Sequence, residues 1–298
     1  MNQHAIAPEK CQVCENKILR EFLQLRDYFL SQEEFTLLKC LNCGLLHTIP
    51  RPAKEEVGSY YNSKDYTSHN NTKLSLKNIL YRKARYYALS RKLKFIKKYS
   101  SHGKILDIGS GTGEFLNFCK KNGWETLGIE PNKAARDFSI RNYGLKILES
   151  EQYLRTEKTS FEVISMWHVL EHLENPVEQF AMNRELLKEN GLLVVALPNY
   201  ESWDARYYGK FWAAYDVPRH LFHFPEKAVL WLAQKTGFTF SEKQPLKLDA
   251  FYISLLSEKY AHGKMNYFRA FFNGLRSNQK AKTGKFGYSS WVYLMTRK

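Results

Sequence analysis

The chain has 298 residues, 44% of them hydrophobic, and a formal net charge of +15, enough for one large core with a small appendage. Its first ten residues lack the basic-then-apolar order of a secretory leader, and no apolar run reaches bilayer length, so a cytoplasmic protein with no membrane span is expected. The positive charge favours anionic partners without specifying one.

Near the N-terminus, Cys11-x2-Cys14 and Cys40-x2-Cys43 are separated by 25 residues. In a reducing compartment such pairs serve as metal ligands sooner than as disulfides. Each pair lets two thiolates reach one tetrahedral ion, and Gly44 gives the second knuckle its permissive turn. Four thiolates leave no position for water, so the expectation is a structural zinc in a zinc-ribbon module. Pro50-Arg51-Pro52 closes that module, placing it at residues 1–52. Residues 53–100 then read as a basic helical linker, entered through Tyr60, Tyr61 and Tyr66. Arg82, Lys83, Arg85, Arg91, Lys92, Lys94, Lys97 and Lys98 carry no acid among them. Interleaved Ile79, Tyr86, Leu89, Leu93 and Ile96 form an apolar stripe, so one face packs and the other is solvated. The functional alternative for this helix is a funnel for phosphates.

Residues 101–298 alternate between strands and amphipathic helices, which implies an α/β fold with a doubly wound, mostly parallel seven-stranded sheet. Strands are expected at Lys104–Gly109, Thr126–Glu130, Leu145–Leu148, Phe161–Trp167 and Leu192–Leu197. Helices fall between them at Glu114–Asn122, Lys133–Tyr143 and about Pro176–Asn190; Gly123 and Gly144 close the first two. A helix at Glu226–Thr236 and two late strands, Phe238–Glu242 and Trp291–Thr296, complete the domain. Arg276–Gly287, poor in apolar residues, is expected to be mobile, and Cys119 to be core.

The central motif is Asp107-Ile108-Gly109-Ser110-Gly111-Thr112-Gly113-Glu114, which leaves a strand and opens a helix. Glycines let the backbone turn sharply and approach a ligand, while the helix N-terminus favours negative charge. A dinucleotide site would want Gly-x-Gly-x-x-Gly, but Glu114 stands where its close-packing glycine belongs. Asp107 also suits an ammonium better than a pyrophosphate. Glu130, ending the next strand, stands where an acid can bind ribose hydroxyls.

With Gly128-Ile129-Glu130-Pro131-Asn132 and His168-Val169-Leu170-Glu171-His172-Leu173, this loop resembles the class I S-adenosylmethionine-dependent methyltransferases, in particular the subgroup similar to ubiquinone-biosynthesis methyltransferases. The resemblance spans roughly Lys104 to Phe240. It implies S-adenosylmethionine as cofactor, lined by Asp107, Gly109, Ser110, Gly111 and Gly113, with Glu130 and Pro131 at the ribose. It places the adenine near the turn at Glu149, Ser150 and Glu151, where the family's usual Asp is missing. The zinc ribbon followed by Tyr60-Tyr61 gives a layout similar to bacterial enzymes that methylate nucleotide-linked sugars. Those enzymes carry a further C-terminal domain, which is not expected here.

In an open parallel sheet, ligands bind beyond the carboxyl ends of strands near the switch point, so Trp167 and His168 should face the cofactor and the methyl acceptor. Methyl transfer from a sulfonium is an in-line displacement in which the protein positions the acceptor and, where needed, removes a proton. His172 is the first candidate base and His168 the second; both could instead orient or pack. The aromatic stretch Pro198–Pro225 ends in Arg219-His220-Leu221-Phe222-His223, and reads as a lid over a ring-bearing, anionic acceptor. Candidate acceptor contacts are Tyr60, Tyr61, Tyr66, Arg219, His220 and His223. The expected partner is a small molecule: a sugar, a nucleotide-linked sugar or a lipid-like biosynthetic intermediate. Nucleic acid is the alternative, disfavoured because Trp167-His168-Val169-Leu170 stands where base-nitrogen methyltransferases need an Asn/Asp-Pro-Pro-aromatic tetrad. A non-catalytic cofactor-binding scaffold is the third reading, and intact Asp107 and Glu130 argue against it.

Overall fold

In the computed structural model, which describes residues 8–52, 60, 76–150 and 160–297, the N-terminal segment forms β1 (Leu19–Arg26), β2 (Glu34–Cys40) and β3 (Leu46–Ile49), antiparallel in that order. Alternation along β2 turns Phe35 and Leu37 inward. Helix α1 (Leu76–Lys97) leads to the main sheet.

There β4 (Lys104–Ile108), α2 (Glu114–Lys121), β5 (Glu125–Ile129), α3 (Lys133–Tyr143) and β6 (Ile147–Leu148) wind outward on one side. The chain returns as β7 (Phe161–Trp167), α4 (Pro176–Leu186) and β8 (Leu187–Pro198) on the other. Next come α5 (Trp203–Tyr208) and the short strand β9 (Phe222–His223), which pairs antiparallel with β3. Helix α6 (Glu226–Lys235), β10 (Phe238–Pro245), the hairpin α7 (Asp249–His262) and α8 (Tyr267–Lys282), and β11 (Ser290–Arg297) follow. The sheet order is β10-β11-β8-β7-β4-β5-β6, parallel except for β11, which runs antiparallel to both neighbours. The order reverses between β4 and β7, and that crevice is where such sheets bind ligands.

Central strands covered on both faces read as unbroken apolar runs. Ile105, Leu106, Val163, Ile164 and Leu193 through Ala196 are accordingly fully buried. One core cluster lies on each face of the sheet. The cluster holding Leu106 and Met166 also takes in Cys11, Val13, Cys43 and Leu45. Packing therefore runs straight across the expected boundary at residue 52.

Two expectations need correction. Helix α4 ends at Leu186, short of Asn190, because Leu187 is captured by pairing with Phe161 on β7. The stretch expected to be mobile is helical through Lys282, because Ala270, Asn273, Gly274, Ser277 and Ala281 pack inward at helical spacing. Their small side chains hid the buried face from a reading based on hydrophobicity. No helix among the described residues is long and apolar enough to cross a membrane.

Candidate cofactor and acceptor site

Register brings the first acids together. Asp107 lies beside Gly128 of β5 and Ser165 of β7, and the Ser165 hydroxyl donates to its Oδ1 at 2.6 Å. Only 2% of Asp107 is exposed. Burial pushes its pKa up to about 7, against the opposing pull of Ser165 and the Lys92 ammonium. The Gly109 and Ser110 amides both donate to the Ile129 carbonyl, at 2.8 and 2.9 Å, folding the loop over the end of β5. Glu130 then accepts from the amides of Gly111 and Asn132, each at 2.8 Å. The carboxylate thus braces the loop while keeping lone pairs for a ligand hydroxyl.

The glycines have separate reasons. Gly109, Gly111 and Gly113 sit at φ 69°, 54° and 76°, the left-handed region that favours glycine. A Cβ at 109 would also meet Val169 Cγ2 at 2.5 Å, and one at 113 would meet Leu145 Cδ1 at 2.7 Å. At Gly111 nothing lies within 4 Å, so an incoming ligand can reach bare backbone there. On the far side of β5, Arg136 donates to the Glu130 and Pro131 carbonyls at 2.7 and 3.0 Å and pairs with Glu149 at 3.5 Å. That pairing ties the turn of Glu149 and Ser150, after β6, to the Glu130 loop. Tyr61, Tyr66 and Glu151 lie outside the described residues.

Lys92, which the sequence analysis counted with the basic residues of the linker helix, lies against the candidate site. Its ammonium stands 4.1 Å from the centroid of the Trp167 ring. Burial lowers its pKa, and the charges of Asp107 and Asp249 oppose that. The available signal was its spacing from Leu89, Leu93 and Ile96, which puts it at the border of the apolar stripe.

Beyond β7 and β8 a cavity of about 410 Å³ opens, lined among others by His168, His172, Ala214, His220, Asp249 and Tyr252. His168 holds φ 57°, rare for a residue with a Cβ. This turns its ring between Asp249, 3.1 Å from Nε2, and Glu171, 3.5 Å from Nδ1. Burial alone would lower the imidazole, but the two carboxylates push it up to about 9, so His168 is a cation at neutral pH. His172 Nδ1 lies 2.9 Å from the Arg219 carbonyl. A carbonyl only accepts, so Nδ1 carries a proton, and in the neutral imidazole the lone pair is on Nε2. The same reasoning fixes His220, whose Nδ1 donates to the Ala214 carbonyl at 3.0 Å; burial holds this imidazole well below its ordinary value.

Glu171, absent from the candidate list, is the most unusual group here. It is 1% exposed, and its partners are imidazoles at long range, His168 Nδ1 at 3.5 Å and His220 Nε2 at 4.0 Å from Oε1. Burial would raise its pKa, yet the surrounding imidazoles hold it below the usual carboxylate range. Glu171, His172 and His220 each offer a ligand atom within 4.8 Å of the others, a set that could hold a metal ion.

Other candidates are engaged by protein. Arg219 makes five hydrogen bonds, two to Asp216, two to Asp27 and one to the Tyr60 carbonyl. All five guanidinium donors are therefore in use, and the residue clasps the β1–β2 turn to the aromatic insertion. The Tyr60 hydroxyl donates to Glu33 at 2.6 Å. His223 sits in the β3–β9 junction, 3.4 Å from the Thr48 hydroxyl, and does not line the cavity.

The four cysteines converge. Cys11 and Cys43 Sγ are 3.5 Å apart, Cys14 and Cys40 are 3.4 Å apart, and all four lie within 4.8 Å of one another. Tetrahedral zinc with thiolate bonds of about 2.3 Å needs sulfur separations of roughly 3.8 Å, so the set fits that ion. The Cys43 thiol, donating to Cys11, holds Cys11 down at about 3 against burial, while Cys43 itself is pushed up.

Comparison with known proteins agrees with this geometry. A family model described as "Methyltransferase domain" matches residues 81–243. The "Ubiquinone biosynthesis O-methyltransferase" of Pasteurella multocida (strain Pm70) is 30% identical over 113 residues, covering 32% of this chain and 46% of the relative. The protein of the same name from Histophilus somni (strain 2336) is 30% identical over 114 residues, covering 34% and 48%. The chain thus spans about half the length of these curated relatives. Among solved structures, the cyclopropane synthase MmaA2 from Mycobacterium tuberculosis shares the fold, with a TM-score of 0.52 and 17% identity over 83% of this chain and 99% of that one. A Rossmann-like sheet, a glycine loop between Asp107 and Glu130, and a family match over more than half the chain make this protein a member of the methyltransferase-domain family.

Proposed function

We infer that this chain transfers a methyl group from S-adenosylmethionine to a small-molecule acceptor held in the His172 cavity. The observation that carries the reading is the glycine loop, open at Gly111 and flanked by a buried Asp107 and a loop-bracing Glu130. When bound, the cofactor supplies an electrophilic methyl on a sulfonium. Asp107 would hold the methionine ammonium, Glu130 the ribose hydroxyls, and Lys92 with the loop amides the carboxylate. The turn at Glu149 and Ser150 would border the adenine.

On the acceptor side, His172 acts as the base in this reading, which is supported by the Nδ1 contact with the Arg219 carbonyl that fixes its ring. His168, already protonated, serves to position Glu171 and Asp249. The acceptor's class, whether sugar, nucleotide-linked sugar or lipid-like intermediate, is bounded by a cavity sized for a metabolite. The names of the two curated relatives support transfer to oxygen. Zinc in the four-cysteine site would be structural, binding residues 1–52 to the catalytic domain at 101–298. Five reduced cysteines suit a cytoplasmic setting.

The test is incubation with methyl-labelled cofactor and a panel of fractionated metabolites. Label should appear in a small molecule, and His172→Ala should lower kcat by about 10²–10⁴-fold with unchanged cofactor affinity. Label recovered only in RNA, or in nothing, refutes the reading.

Glu171, His172 and His220 favour a second version of the acceptor step. A divalent cation held there would polarise an acceptor oxygen, replacing the need for a base. Activity lost to a chelator and restored by iron(II) or manganese(II), with zinc still bound at the four thiolates by metal analysis, would support this version.

A further inference from the structure

Helix α8 is built inside out. Its buried residues are Ala270, Asn273, Gly274, Ser277 and Ala281. Its outward side carries Phe268, Phe271, Phe272 and Leu275, 76%, 53%, 51% and 43% exposed, at the i, i+3, i+4, i+7 spacing of one helical face. Phe272 contacts both Phe268 and Phe271, with ring centroids 5.3 and 5.8 Å apart, so the face is continuous. Tyr267 and Met265 extend it, and both are also exposed. Proteins rarely leave so much contiguous aromatic surface in water without a partner for it.

The charge around this face selects the partner. From Lys259 to Lys298 the chain holds nine Lys or Arg and no Asp or Glu. Arg276 and Lys280 line one flank of α8 and Lys264 stands at its entry, all three exposed, while Arg269 is paired at 3.4 Å with the buried Glu258 of α7. A second copy of the chain would bring these cations against themselves. An anionic bilayer satisfies both features at once, since rings can enter the acyl boundary while lysines and arginines reach phosphate headgroups.

We propose that the α7–α8 hairpin is a docking surface for an anionic lipid bilayer, with Phe268, Phe271 and Phe272 as the inserting residues. Helix α7 also walls the acceptor cavity through Asp249 and Tyr252, so docking sets that cavity beside the membrane. The proposal rests on exposure and charge and is independent of the methyl-transfer chemistry.

The full chain is sedimented with vesicles of phosphatidylcholine alone and with vesicles also containing phosphatidylglycerol. Wild type should pellet with the anionic vesicles, and less so as salt is raised. Phe268→Ser/Phe271→Ser/Phe272→Ser should lower the partition coefficient by at least about ten-fold. Phe271 also touches Phe251 of α7, with ring centroids 5.6 Å apart, so Phe268→Ser alone, at the most exposed ring, is run beside the triple variant; its unfolding midpoint and cofactor affinity should match wild type while its partition falls. The proposal is overturned if wild type ignores anionic vesicles, whether it stays monomeric, dimerises through this face or binds single-stranded RNA there. A triple variant that pellets as well as wild type overturns it equally.

Discussion

Asp107 spends its life among groups that disagree about its charge. Burial favours the acid and carries its pKa to about 7, while Ser165 and Lys92 favour the carboxylate. In the unliganded fold it therefore keeps a proton between roughly pH 4 and 7 that the unfolded chain has released, so this group lowers stability as pH rises through that window. A bound ammonium reverses the preference. Cofactor affinity should weaken below pH 7, by at most about ten-fold per pH unit, and level off above it. Calorimetry from pH 5.5 to 8 checks this, and Asp107→Asn should flatten the profile while weakening binding at pH 8 by about 1.5–3 kcal/mol. A wild-type profile that rises toward acid would count against the proposed ammonium contact.

At the scale of elements, the glycine loop separates fold from ligand. Gly109→Ala must displace Val169 as well as adopt a left-handed φ, so it should lower the unfolding midpoint. Gly111→Ala meets nothing within 4 Å and should cost only about 1 kcal/mol of stability, yet it should weaken cofactor binding more than that. Thermal unfolding with and without cofactor distinguishes the two variants. Elements with a strong local pattern were legible in the sequence: β4 to β8 as apolar runs, α2 and α3 by their glycine stops, the loop by its spacing. Helices α7 and α8 were not, because their buried residues are mostly Ser, Ala, Asn, Gly and Glu while Tyr252, Tyr267, Phe268, Phe271 and Phe272 stay exposed. Within the site, Asp107 and Glu130 were readable from their position at strand ends. Lys92 and Asp249 were not, since each reaches the candidate site only through tertiary contacts, with Trp167 and His168 respectively.

Over the whole molecule, the cysteine module and the domain of the seven-stranded sheet are one packed body. Strand β9 extends the N-terminal sheet, Cys11 and Cys43 share a core with Met166, and Arg219 joins Asp27 to Asp216. Arg219→Met should therefore destabilise the whole chain by about 3–5 kcal/mol, as expected when a buried carboxylate loses its partner, with a single urea transition. Asp27 is held below its ordinary value by Arg219 and the Ser31 amide, which outweigh burial. Its stabilising contribution is complete above about pH 4 and fades as pH falls through the depressed native value. Metal analysis should return one zinc per chain, and a strong chelator should lower the unfolding midpoint of the entire protein. Independent melting of the first fifty residues would instead mean that the shared core is not cooperative.

The most direct measurement is calorimetric titration of S-adenosylmethionine and of NAD into the purified chain, with Glu130→Ala alongside. Saturable one-to-one binding of S-adenosylmethionine, weakened at least about ten-fold by Glu130→Ala, with no heat from NAD, is the expected result. Heat from NAD alone, or an affinity for S-adenosylmethionine indifferent to Glu130, would contradict it.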